Sequence, residues 1–324
     1  MRSMSPSNIS KEVKMAQIYG PVPSRRLGFS LGVDIVPFKT CSLDCVYCQL
    51  GRTTNKTIER KEYTPADQVL RELEKVLEEK RKIDYITFSG SGEPTLNSNI
   101  GGMINRVKKM TSLPVAVLTN GTLMYQPQVR EDLLGADLVI PSLDGVSQNT
   151  FERVNRPCPS LRIDEIISGI SAFSREFEGK LWLEIMLVKG INDSVGEAKK
   201  MAQVIEEIGP EKVQLNTVIR PPAEKFAQAL DGKNLKKIRR ILGEERCEII
   251  AKFKGLRQRA YKKDIEGEIL KTLRRRPLTI ADISHFLGLH QNEVIKYIGA
   301  LEEQGKIESV LRDNRRFYEI IIQE

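Results

Sequence analysis

"LGVDIVPFKTCSLDCVYCQLG", residues 31–51, joins an apolar run to a loop that carries three of the five cysteines. Leu31 to Phe38 reads as a buried strand, because β-branched and apolar residues run on with a single charge, Asp34. It delivers the chain to Cys41, Cys45 and Cys48, spaced C-x-x-x-C-x-x-C. A closed zinc site wants four Cys or His ligands. The next cysteine, Cys158, lies far along the chain, and both histidines, His285 and His290, stand near its C-terminus. Soft thiolates one ligand short suit an iron–sulfur cluster with one iron open to an outside ligand. Thiols packed this tightly form no disulfide framework, which fits a reducing, cytoplasmic setting.

Outward from that loop, apolar runs alternate with amphipathic stretches. Strands are expected at 31–38, 83–90, 114–121, 136–145, 180–190 and 211–219, with helices between them. The first of these helices follows Thr64 as N-cap and Pro65 at its first position. Near-continuous apolar strands that alternate with helices predict a parallel sheet covered on both faces. The fold class is therefore α/β: a partial (β/α)6 open TIM-type barrel, whose chemistry gathers at the C-terminal strand ends. Residues 1–30 form a lead-in, 31–250 the barrel, and 251–263 ("AKFKGLRQRAYKK") a basic linker. Residues 264–324 read as three helices and a hairpin turning at Asp313-Asn314, a C-terminal winged helix-turn-helix domain. In it, Thr279 caps the second helix and Gly305 stops the third.

At 324 residues with 40% hydrophobic and 29% charged content, the chain reads as globular, with no apolar run of membrane-spanning length. Its net charge is +8. Residues 264–324 carry 9 Lys/Arg and 11 Asp/Glu, which leaves 42 and 32 in residues 1–263. The excess of positive charge thus sits on the barrel side, and an anionic substrate such as RNA is the partner it would suit. Arg25 and Arg26 could grip a carboxylate or phosphate. Arg274, Arg275, Arg276, Arg315 and Arg316 are local basic clusters in the last domain.

Three further features stand at expected strand ends. "GSGEP" (90–94) closes the second strand, Thr119 and Asn120 the third, and Ser142 and Asp144 the fourth. Glu184 and Asn216 lie inside the fifth and sixth, where a polar group is costly without a partner or ligand. With the cysteine spacing, these motifs resemble the radical S-adenosylmethionine (SAM) enzymes over residues 16–250. The 19–51 stretch is similar to a subgroup of iron–sulfur oxidoreductases, loosely akin to wybutosine-pathway tRNA-modifying enzymes. Those carry a second set of N-terminal cysteines, absent from residues 1–40 here.

The resemblance implies a [4Fe–4S] cluster on Cys41, Cys45 and Cys48, with SAM chelating the open iron. It also implies reductive cleavage of SAM to a 5′-deoxyadenosyl radical that abstracts hydrogen from substrate. Tyr47 would sit near the adenine. Gly90, Ser91, Gly92 and Glu93 would hold the methionyl ammonium, and Thr119, Asn120, Ser142 and Asp144 the ribose and carboxylate. Glu184 and Asn216 would meet SAM or substrate. A flavodoxin- or ferredoxin-type donor would supply electrons. Cys158 and Cys247 are expected to be buried, incidental thiols. The alternative is a redox-sensing regulator that binds DNA through the winged helix.

Overall fold

A computed structural model describes residues 17–24, 26–219, 222–250, 263–273, 277–312 and 315–321. In chain order the elements are β1 (Ile18–Ser24), β2 (Gly28–Val33), β3 (Thr40–Cys41), β4 (Asn55–Lys56), α1 (Ala66–Glu78), β5 (Tyr85–Phe88) and α2 (Ile100–Met110). Then come β6 (Val115–Thr119), α3 (Pro127–Leu133), β7 (Leu138–Pro141), α4 (Gln148–Asn155), α5 (Ile163–Glu176), β8 (Lys180–Leu187) and α6 (Val195–Ile208). They are followed by β9 (Lys212–Thr217), α7 (Gly232–Leu242) and β10 (Cys247–Ile249). The last stretch holds α8 (Lys263–Leu273), α9 (Ile280–Leu287), α10 (Gln291–Glu303), β11 (Ile307–Arg312) and β12 (Arg315–Ile320).

Eight strands form one sheet in the order β1-β2-β5-β6-β7-β8-β9-β10. Only β1 runs antiparallel to its neighbour; the other pairings are parallel. Because spatial order follows chain order, helical crossovers carry the chain from one parallel strand to the next. The six expected strands are present but shorter than their apolar runs. Beyond Val33 the backbone leaves β2, and residues 34–38 become the approach to the cysteine loop. Two strands of this sheet were not expected, nor was the separate short pair β3–β4. β1, "IYGPVPS", holds a glycine and two prolines, which an edge strand tolerates and a central one does not. β10 adds three residues at the far edge.

The core lies between the sheet and its helices. Val33, Ile86, Phe88, Val115, Val117 and Val139 from the strands pack with Val69, Leu70 and Leu73 of α1 and Met103, Ile104 and Val107 of α2. The helical positions recur at three- and four-residue spacing, one stripe per helix. Each fully buried Leu or Val contributes roughly 1.5–3 kcal/mol. The start of α1 differs from expectation. Pro65 is its cap residue, and the Glu62 carboxylate, not Thr64, accepts from the free Ala66 N–H.

Residues beyond 263 build a second core, with Ile269, Leu273, Ile283, Val294, Tyr297, Ile298, Leu301, Ile307 and Tyr318 buried together. Three helices followed by the antiparallel pair β11–β12 match the expected element order. Thr279 and Asp282 form a reciprocal capping box on α9, and Gly305 follows α10 with φ +67°. The Asp313-Asn314 turn, Arg25, residues 251–262 of the basic linker and Arg274–Arg276 lie outside the described residues. Among the described residues no helix is long and apolar enough to cross a membrane.

Candidate active site

The cysteine loop and the "GSGEP" turn are hydrogen-bonded to each other. Lys39 N donates to Ser91 O at 2.8 Å, and Glu93 N donates to Thr40 O at 3.0 Å. Gly92 makes the contact possible: a Cβ there would lie 1.9 Å from Thr40 O. Gly90 plays the same part toward Asp34, whose carboxylate would meet an added Cβ at 2.2 Å. Two motifs fifty residues apart in sequence thus form one rim.

Each clustered sulfur has its own N–H donor from a different part of the rim. Lys39 Nζ lies 3.2 Å from Cys48 Sγ, Asn120 Nδ2 3.5 Å from Cys41 Sγ, and Asn155 Nδ2 3.3 Å from Cys45 Sγ. Burial pushes the Cys41 thiol up to about 12, helped by the Glu93 charge. It pushes Cys45 well above the ordinary thiol range, with Asp144 adding to the effect. A metal bound there would supply positive charge that favours the thiolate form. Among the described residues no three His, Cys, Asp or Glu groups are placed to hold a single metal ion. Three separated sulfurs, each with a donor, fit a cluster in which every thiolate takes its own iron.

Behind the sulfurs stands a frame of buried carboxylates. Glu93, 2% exposed, accepts from Thr95 N and Oγ1 and Thr119 Oγ1 through Oε1, and from Asn120 N through Oε2. Burial raises its pKa while those donors pull it down. Asp144 accepts from Tyr47 Oη at 2.5 Å, Asn155 Nδ2 at 2.7 Å and Met186 N at 2.8 Å. Asn120 continues the lattice, donating to Ser42 Oγ at 2.9 Å and accepting from Thr122 N and Oγ1.

A cavity of about 380 Å3 opens beside the loop. Cys41 and Cys48 line it, with Tyr47, Gly90, Gly92, Glu93, Thr119, Asn120, Ser142, Glu184 and Asn216. Three expected residues stand elsewhere. Cys45 is outside the lining, although its sulfur faces Asn155. Ser91 is buried at 1% and meets the cysteine loop through its backbone. Asp144 is 3% exposed with both oxygens engaged, so it orients Tyr47 and Asn155 rather than facing a ligand. Glu93 lines the cavity, with Oε1 accepting from Thr95 and Thr119 and Oε2 from Asn120.

The family model for the Radical SAM superfamily matches residues 35–202, more than half the chain. This chain belongs to the radical SAM superfamily. A relative from Methanocaldococcus jannaschii, UPF0026 protein MJ1312, is 35% identical over 310 residues, 94% of this chain and 96% of that one. A protein named GTPase Obg from Brachyspira hyodysenteriae is 37% identical over 307 residues, 94% of this chain but 45% of its own length. This radical SAM chain has no G-x-x-x-x-G-K-[ST] phosphate loop, so that relative's name transfers nothing. Among solved structures, a radical SAM methyltransferase from Sphaerobacter thermophilus superposes with a TM-score of 0.50 at 20% identity, over 68% of this chain and 65% of that one. It shares the fold.

The far wall of the radical SAM cavity was only partly legible in sequence. Arg26, expected to grip a carboxylate or phosphate, makes a two-pronged pair with the carboxylate of Glu184, Nη1 to Oε2 and Nη2 to Oε1, both at 2.9 Å. Asn216 Nδ2 joins Glu184 Oε1 at 3.2 Å. The partner that a carboxylate in an apolar strand demands is therefore a protein guanidinium.

The last domain supplies Asn292 and Lys296, one turn apart on α10, to the same lining. Its His290 is 4% exposed, stacks on Tyr19 at 4.6 Å between ring centroids, and sets Nε2 3.0 Å from Asp34 Oδ2. Because His290 Nδ1 accepts from Asn292 N at 3.1 Å, the ring proton sits on Nε2 and is donated to Asp34. Asp34 Oδ2 also receives Ser91 N at 2.9 Å, so the last domain reaches the "GSGEP" turn through one carboxylate. No spacing rule places His290 or Asn155 beside residues so distant in the chain. Cys158 and Cys247 are buried, as expected, and burial raises both thiols, Cys247 to about 12.

Proposed function

We propose that this chain is an iron–sulfur enzyme that holds a [4Fe–4S] cluster on Cys41, Cys45 and Cys48 and cleaves SAM reductively. The supporting observation is that all three sulfurs meet N–H donors at one rim, with Cys41 and Cys48 open to a single cavity. Bound there, cluster and SAM would supply a 5′-deoxyadenosyl radical for hydrogen abstraction.

Within this reading the chain's own residues divide the work. Tyr47, Gly90, Gly92, Thr119, Asn120 and Ser142 face SAM. Ser91, Glu93 and Asp144 hold those residues in place. Glu184, locked to Arg26 and joined by Asn216, faces the substrate side with Asn292 and Lys296. The partial barrel keeps the site at strand ends, and its walls keep water from a reactive radical. The positive balance of residues 1–263 favours an anionic substrate, RNA among them, and a flavodoxin- or ferredoxin-type donor supplies the electron. The last domain, a winged helix by its element order, roofs the substrate side. Its third helix, the one a DNA reader would lay in the groove, is turned against the barrel, so the regulator reading gains no support.

The test is anaerobic reconstitution with iron and sulfide, then reduction with SAM present. The wild type should hold about four irons and form 5′-deoxyadenosine. Cys41→Ala, Cys45→Ala and Cys48→Ala should each lose the brown chromophore and the product. Cleavage that survives in these variants would overturn the ligand assignment. Weak, salt-insensitive RNA binding would remove RNA from the substrate classes while leaving the cleavage chemistry intact.

A further inference from the structure

Lys39 is buried, 3% exposed, and its ammonium lies 3.2 Å from the Cys48 sulfur. Its backbone sits at φ +57°, in the left-handed region that glycine enters freely and a side chain does not. The strain is held from both sides. Lys39 N donates to Ser91 O at 2.8 Å and Lys39 O accepts from Asn55 N at 3.1 Å. A long cationic side chain is therefore carried, against conformational preference, into the interior and aimed at a cysteine sulfur. A cation buried there is costly unless negative charge balances it. The sulfurs of Cys48, Cys41 and Cys45 act on it, Cys48 first, and a one-electron reduction adds a further unit of negative charge to a cluster they hold.

We propose that Lys39 sets the reduction potential of the cluster, its positive charge stabilising the reduced form over the oxidised one. The proposal rests on the assignment of Cys41, Cys45 and Cys48 as cluster ligands. Charge and donor can be separated. Lys39→Arg keeps both, Lys39→Gln keeps an N–H donor without charge, and Lys39→Met keeps neither.

The measurement is the midpoint potential of reconstituted protein without SAM, followed by electron paramagnetic resonance during stepwise reduction, beside the iron content of each sample. Lys39→Gln and Lys39→Met should hold as much iron as the wild type. Each should disfavour reduction at least tenfold, a downward shift of about 59 mV for one electron. Lys39→Arg should stay near the wild-type value. If Lys39→Met loses its iron, the comparison of Lys39→Gln with Lys39→Arg carries the same reading. A Lys39→Gln potential equal to that of the wild type overturns the proposal while the cluster assignment stands. A wild type that takes up no cluster overturns the assignment, and the proposal with it.

Discussion

Asp144 carries a charge its surroundings resist. Burial lifts its carboxyl from 3.8 to about 6, against the pull of Tyr47, Asn155 and the Met186 amide, while the Glu184 charge lifts it further. The folded state therefore binds this proton more tightly than the unfolded chain. The stability it contributes is fully present below pH 3.8 and is lost as pH rises through about 6. The difference is on the order of 3 kcal/mol between those limits. Asp144→Asn should flatten the pH dependence of urea unfolding across that window, and an unchanged slope would count against a buried, raised carboxyl. At this scale the sequence was readable where spacing is local. Cys41, Cys45, Cys48 and the "GSGEP" turn are recognised by neighbours a few positions apart. Lys39 at Cys48, Asn155 at Cys45 and the Arg26–Glu184 pair need the chain to fold before they meet. The hydrogen-bond partners of Glu93 and Asp144 were hidden for the same reason, since they come from residues far along the chain.

The contact between the cysteine loop and the "GSGEP" turn is an element-scale device. Two backbone hydrogen bonds join them, and the space at Gly92 is what lets the strands' ends approach. Gly92→Ala forces a carbon against Thr40 O, and overpacking of this kind costs about 1–3 kcal/mol. The cluster loop should then part from the SAM-facing turn. Reconstituted Gly92→Ala should retain iron yet bind SAM at least tenfold more weakly in equilibrium dialysis; wild-type affinity would refute the coupling. The alternation of strands and helices was legible because its period survives any tertiary detail. Strand ends were not, since polar residues such as Asp34 can leave the sheet for a hydrogen bond. The edge strand β1 was hidden by its own glycine and prolines, which read as a linker until a neighbour pairs with them.

Across the whole molecule, His290 ties two cores together. It donates to Asp34, stacks on Tyr19 and accepts from the start of α10. A buried hydrogen bond to a carboxylate is worth about 1.5–3 kcal/mol, so His290→Ala should loosen the last domain from the barrel. The single tryptophan, Trp182 in β8, reports barrel unfolding by fluorescence, while circular dichroism follows all helices. In the wild type the two transitions should coincide. In His290→Ala the dichroism should begin to fall at lower urea, and coincident curves with an unmoved midpoint would show the histidine to be dispensable. The change of pattern after residue 263 was legible and a second core follows it, but the contact between the two cores rests on residues more than two hundred positions apart.

The sheet has two ends. One is the three-residue β10, and the other is β1, against which α10 is packed. Short or sheltered margins deny a second molecule the row of unpaired amides and carbonyls on which strands stack into fibres. Cutting the chain before α8 strips the cover from β1 and leaves a seven-residue margin bare, so the shortened protein is the one that should clump.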